Sequence, residues 1–252
     1  MSGKAQFDER AVIAAAVTVF WRHGYAAASI SDLTEATGLS RSSLYQRFHD
    51  KDGLFVEALQ AYAERVLQRM DAAQADTARG RLEALLRAFL PNTAAPQRPA
   101  GCLIARSCAE AVDLSEAGLA AARASAERQR DSLVGIFRRG IEQGELAPDA
   151  DIDALAWHYL GVLQAIVNFP YAGVEDDMLN RMIEVAMSTW PAIDRLRLPA
   201  QASSAVRWRS RVTIGASPPS MPSAFPANIS TKRPSPAPVA AETARPEVGG
   251  GA

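Results

Sequence analysis

The stretch Thr37 to Lys51 reads TGLSRSSLYQRFHDK, and its reading decides the rest of the chain. Gly38 breaks the segment before it, and Ser40 stands where an N-cap is wanted. Leu44 and Phe48 fall four apart, on one face of a short helix. The other face carries Arg41, Ser42, Ser43, Gln46 and Arg47. A helix that only had to pack would accept almost any polar residue on its wet side. Small hydroxyls set among arginines and a glutamine instead suit a partner.

Upstream, Val12 or Ile13, Ala16, Val17, Phe20 and Trp21 recur at three and four and predict a first helix that stops at His23-Gly24. Ser29 with Asp32 three residues later forms a capping box, and Ile30 and Leu33 give the short second helix its inner face. Asp50 caps a longer helix from Lys51 to about Met70. Two short helices joined by a glycine turn have the dimensions of a helix-turn-helix, whose second helix enters the DNA major groove. In that frame Leu39, Leu44 and Phe48 anchor the second helix. The helix start at Ser40 offers backbone N–H groups to a phosphate, Arg41 can fork onto a guanine, Ser42 and Ser43 allow close approach, and Gln46 can read an adenine.

The ordered set Phe20, His23-Gly24-Tyr25, Ser29-Ile30-Ser31-Asp32-Leu33, Ala36-Thr37-Gly38-Leu39-Ser40, Leu44-Tyr45, Phe48 and Lys51 resembles the N-terminal DNA-binding signature of the TetR, or tetracycline repressor-like, family. It covers about residues 8 to 56. The resemblance implies that Tyr45 and Lys51 contact the phosphate backbone, with Ser29, Ser40 and His49 assisting. It places Arg41, Ser42, Ser43 and Gln46 where base readers stand. It further implies a homodimeric repressor released from a palindromic double-stranded DNA operator by a small-molecule effector. Gly53 departs from the family pattern, where an acidic residue is usual, and costs the next helix about 1 kcal/mol on propensity.

The remainder reads as all-α. Leu82, Leu85, Leu86, Phe89 and Leu90 mark one amphipathic helix, PNTAAPQRPAG from Pro91 to Gly101 a loop, and further helices are predicted from Cys102 to Val112, Ser115 to Gln143, Ile152 to Phe169 and Asp176 to about Asp194. The expected organisation is a three-helix head at 1–50, a helical effector and dimerisation body of about six helices at 51–198, and a tail at 199–252. Leu155, Tyr159, Leu163 and Val167, with Met182, Ala186 and Trp190, are candidates for half of a four-helix dimer interface. Phe89, Cys102, Ile104, Phe137, Trp157, His158, Tyr159 and Phe169 are candidates for a cavity, with ordinary core as the plainer alternative.

Net charge is −1 over 252 residues. Residues 1–51 carry six basic against five acidic side chains, residues 52–198 carry 15 against 21, and the tail six against two, so a mildly basic head precedes an acidic body. Nine of the 15 prolines lie in the tail, a composition that predicts disorder because too little apolar surface is available to offset ordering entropy. The N-terminus MSGKAQFDER has no apolar signal region and no segment approaches a membrane span, so a cytoplasmic protein is expected. Cys102 and Cys108 sit on different helical faces and have no metal-site spacing. The three histidines fall on separate elements without HExxH, GxSxG or a phosphate loop. No catalytic residue, metal or cofactor is expected. A helical module that uses its helix-turn-helix on a protein partner, or a regulator that activates, are the alternative functions.

Overall fold

In a computed structural model, residues 8–91, 99 and 101–190 are described, and every described regular element is helical. The predicted tail beyond 199, with its Arg207, Trp208, Arg209 and Arg211 cluster, and most of the loop after Pro91 lie outside the described residues.

Helix α1 spans Glu9–Ala27 and starts on Asp8, whose carboxylate accepts from the Arg10 and Ala11 amides. Gly24 interrupts it with φ 78°, ψ 177°, so the expected stop appears as a kink inside a longer element. A Cβ at Gly24 would lie 2.0 Å from a Glu110 carboxylate oxygen, and only glycine meets both requirements. Helix α2, Ile30–Thr37, begins in the Ser29–Asp32 capping box and ends on Gly38 in the left-handed region. Helix α3, Arg41–Phe48, is capped by Ser40, and α4, Lys51–Ala72, by Asp50. These three short junctions follow from local chemistry alone.

Helix α5, Ala78–Ala88, is shorter than its apolar pattern implied, since Phe89 is its C-cap. Helix α6, Leu103–Ala109, is followed by the long α7, Glu116–Glu142, and by α8, Ile152–Asn168. A single 3-10 turn, Phe169–Ala172, leads to α9, Asp176–Ser188. Helix α4 is the spine, packing on α1 and on α7, which in turn packs on α8.

An aromatic cluster joins α1 to this spine. The Phe20 and Tyr25 rings meet Phe55 edge-on at 5.1 and 4.9 Å, and Trp21 meets Tyr62 at 4.8 Å. Such pairs contribute about 0.5–1.5 kcal/mol each beyond area burial. Gly53, which propensity marks as a weakness, has a steric reason: a Cβ there would lie 2.1 Å from the Phe48 carbonyl oxygen. The chain turns so tightly from α3 into α4 that a side chain has no room.

Candidate nucleic-acid interface and internal cavity

Leu33, Leu44 and Phe48 are fully buried and Leu39 is partly buried against the same core, so α3 is held by its apolar side. Arg41, Ser42, Tyr45, Gln46 and His49 are exposed, and Ser43 is half-buried. Tyr45 is 40% exposed, an unusual position for an aromatic ring that could have packed inward. The two serines offered as phosphate helpers are already engaged as caps. Ser29 Oγ donates to Asp32 at 2.7 Å and accepts from its amide, which holds the Asp32 carboxyl below its usual range. Ser40 Oγ accepts from the Ser43 amide at 3.1 Å and lies 2.9 Å from both the Ser42 and Ser43 hydroxyls.

Two basic side chains read as outward-facing are held within the protein. Arg47 is paired with Glu9 and, at 2.9 Å, with Glu57, and its guanidinium lies over the Phe48 ring. It braces α3 between α1 and α4. Lys51 Nζ donates to the Tyr25 and Ala28 carbonyls at 2.9 and 3.1 Å and lies 4.2 Å from the centre of the Tyr25 ring. Burial lowers its pKa, with the nearby Glu110 carboxylate acting in the opposite sense. Two of its three donors are thereby used on the α1–α2 junction. His49 closes α3 with φ 69°, ψ −49°, its amide donating to Tyr45, while the Asp50 amide donates to the Phe48 carbonyl. This is a γ-turn centred on a non-glycine residue, a strained conformation.

Helix α6 grips the end of α1. Arg106 donates to the Trp21, Arg22 and His23 carbonyls at 3.4, 3.1 and 2.9 Å, satisfying acceptors left open at a helix C-terminus. Glu110 accepts from the Tyr25 amide at 2.7 Å and pairs with Arg106 at 3.0 Å. Neither residue stood out in the sequence, because an Arg and Glu four apart on a helix read as a solvated pair.

A cavity of about 240 Å³ lies between α1, α4, α7 and α8, lined by Trp21, Tyr62, Val66, Phe89, Leu163, Ile166 and Val167, with Arg69, Cys102, Gln129 and Gln164 as polar or polarisable neighbours. Trp21 Nε1 donates across its edge to the Gly101 carbonyl at 3.1 Å. Of the cavity candidates, Phe89 and Cys102 line it. Phe137 and Tyr159 do not: they are buried together with Trp190, ring centres 5.6 and 5.5 Å from Phe137, and Tyr159 donates to the Ala186 carbonyl. Trp157, His158 and Phe169 are exposed, and Ile104 is buried in the core without reaching the cavity. The dimer candidates need a similar correction. Tyr159, Leu163, Ala186 and Trp190 are covered within the protomer, while Leu155, Val167 and Met182 are partly covered. The apolar side chains that α8 and α9 leave bare are Trp157 at 51%, Met178 at 44% and Val185 at 67% exposure. Period alone could not tell the inner from the outer face of α8, since both are apolar.

Among the described residues no group of three or more His, Cys, Asp or Glu could hold a metal ion, and no helix is long and apolar enough to cross a membrane.

Comparison with known sequences resolves the head and the body separately. Residues 12–58 match the profile of the bacterial regulatory proteins of the tetR family, and residues 78–183 that of the tetracyclin repressor-like C-terminal domain. The chain belongs to the TetR family. It is 31% identical over 201 residues to the uncharacterized HTH-type transcriptional regulator YezE of Bacillus subtilis, covering 75% of this chain and 98% of YezE. It is 26% identical over 190 residues to the HTH-type transcriptional repressor ComR of Escherichia coli, covering 74% of this chain and 90% of ComR. A solved structure of the TetR-family regulator CifR, a cysteine mutant complexed with 26-bp operator DNA, superposes with TM-score 0.66 at 32% identity, covering 75% of this chain and all of CifR. As a TetR-family transcriptional regulator, this chain carries the family's N-terminal region from α1 into the first turns of α4 and its C-terminal region from α5 into α9.

Proposed function

We propose that this TetR-family regulator is a homodimeric repressor that binds a palindromic operator through α3 and leaves it when a small molecule enters the internal cavity. One observation carries the reading: α3 is fixed by buried Leu44 and Phe48 while Arg41, Tyr45 and Gln46 stand exposed beside a serine-capped N-terminus. That is the arrangement a major-groove reader needs, with rigidity on one side and hydrogen-bonding groups on the other. The operator-bound CifR neighbour and the repressor ComR support it. In this reading Arg41 and Gln46 meet base edges, Ser42 and Ser43 allow close approach, and Tyr45 with His49 and the α3 N-terminus meets phosphates.

Dimerisation through the outer faces of α8 and α9 is supported by the bare Trp157, Met178 and Val185 side chains. Two such helix pairs would form a four-helix bundle and bring two copies of α3 to one side. The link from cavity to head is short. Gly101 and Cys102 line the cavity, α6 starts at Leu103, and Arg106 and Glu110 hold the end of α1. A ligand that displaces the start of α6 therefore pulls on the head through these hydrogen bonds. The proposal also takes the protein to act in the cytoplasm and to work by binding rather than catalysis.

The test is a gel-shift titration of the full chain on DNA flanking its own gene, over a salt series. Sequence-specific binding whose affinity falls steeply with salt is expected. Binding that ignores sequence, or its absence, would remove the operator reading and favour a protein partner for the helix-turn-helix.

A further inference from the structure

Gln129 is 2% exposed, lies on α7, and lines the cavity. Its carboxamide has no hydrogen-bond partner among the described residues. A carboxamide carries two N–H donors and an accepting oxygen, and leaving such a group unpaired in the interior is costly. The other buried polar side chains illustrate the contrast. Ser107 and Ser125 each return their hydroxyl to a backbone carbonyl one turn back, at 2.8 and 2.7 Å. Gln129 instead keeps its hydrogen-bonding capacity for whatever occupies the cavity. Gln164, on the facing helix α8, brings a second carboxamide to the same space.

The rest of the wall sets the shape and limits the charge. Trp21, Tyr62, Phe89, Leu163 and Ile166 supply flat and branched apolar surface. Arg69, the one charged side chain among the described lining residues, is already engaged: it donates to the Ala88 carbonyl, and its guanidinium lies 4.6 Å from the centre of the Phe89 ring. A 150 Å³ apolar cavity holds benzene, so about 240 Å³ admits roughly ten non-hydrogen atoms.

Building on the effector reading of this cavity, we infer that its ligand is an uncharged molecule of about one ring, bearing an amide or comparable donor and acceptor group that pairs with the Gln129 carboxamide. The apolar body fills the space between α4 and α8, and the polar group ends on α7. Charge is not required of the ligand, because the unpaired Gln129 carboxamide on the wall is itself neutral. An apolar molecule alone would leave Gln129 unpaired, so discrimination between a polar ligand and its hydrocarbon isostere depends on this one side chain.

The experiment uses three isosteric probes on the full-length protein: benzamide, benzoate and isopropylbenzene, titrated to millimolar concentration by protein-observed NMR. The same titrations are made on Gln129→Leu and on Gln129→Met, the second keeping the unbranched shape should the first fail to fold. The expected result is that benzamide binds more tightly than benzoate. The preference for benzamide over isopropylbenzene should also fall about tenfold in either variant, through weaker benzamide binding. A preference unchanged by the substitutions, benzoate binding more tightly than benzamide, or no probe binding at all would each overturn the inference. Gel shifts on the same preparations separate this from the regulator reading. Operator binding by wild type and variants alike leaves that reading standing whatever the probes do, and its absence in the wild type removes that reading alone.

Discussion

Replacing Glu110 by alanine probes the grip of α6 on α1. The carboxylate, 22% exposed, accepts from the Tyr25 amide at 2.7 Å and pairs with an Arg106 that is 40% exposed. A hydrogen bond to a charged acceptor contributes about 1.5–3 kcal/mol. The Arg106 pair, solvent-screened and four apart on one helix, adds only about 0.3–0.5 kcal/mol. The expected loss is therefore about 2–3 kcal/mol, and for a chain of this size that lowers the melting temperature by roughly 5–10 °C. Glu110→Gln keeps a neutral acceptor and should lose about half as much. The same carboxylate fills the space beside Gly24, so Gly24→Ala should cost less in the Glu110→Ala background than in wild type. Its remaining cost is that of a backbone conformation essentially reserved for glycine (φ 78°, ψ 177°), about 1–3 kcal/mol. Calorimetry of the four proteins measures the cycle. A Glu110→Ala melting point within about 1 °C of wild type, or strictly additive changes, would refute the reasoning.

Lys51→Met should lower the melting temperature, because two backbone carbonyls lose their donor, yet change the salt slope of DNA binding by less than about half a unit. A full unit would restore Lys51 to a phosphate. Gly53→Ala should destabilise the fold, although helix propensity alone forecasts a gain of about 1 kcal/mol; denaturant melts decide the sign. Val185→Glu should give a folded protein that sediments as a monomer, whereas Leu163→Glu, with its side chain in the core, should fail to fold. The Asp32 carboxyl is held below its ordinary range by Ser29, so its contribution to stability is present above the unfolded value of 3.8. That contribution is lost as pH falls through the lower folded value. Asp32→Asn should remove this acid-side dependence, and a carboxyl titration by NMR that shows no depression would contradict it.

The head was legible because its signals are local. Caps at Ser29, Ser40 and Asp50 and a left-handed glycine at 38 depend on residues within three positions, and each appears where the sequence put it. What the sequence hid was tertiary. The resemblance puts Lys51 on a phosphate, but the carbonyls it meets within the protein lie 26 and 23 residues away. Arg106 and Glu110 act on a helix more than 80 residues upstream. In α8 apolar residues cover most of the circumference, so neither the cavity-facing Leu163 nor the outer Trp157 could be assigned by period. Gln129 carried no signal, since a glutamine in a charged helix reads as surface until its burial is seen.

The most direct measurement is footprinting on the DNA flanking the gene, repeated with Arg41→Ala and Gln46→Ala. The expected footprint covers two symmetric half-sites separated by about one helical turn or somewhat more. Each substitution should lower operator affinity by about 1–3 kcal/mol and leave binding to unrelated duplex nearly unchanged. If both side chains could be removed without altering the preference for the operator, α3 would not be the element that reads it.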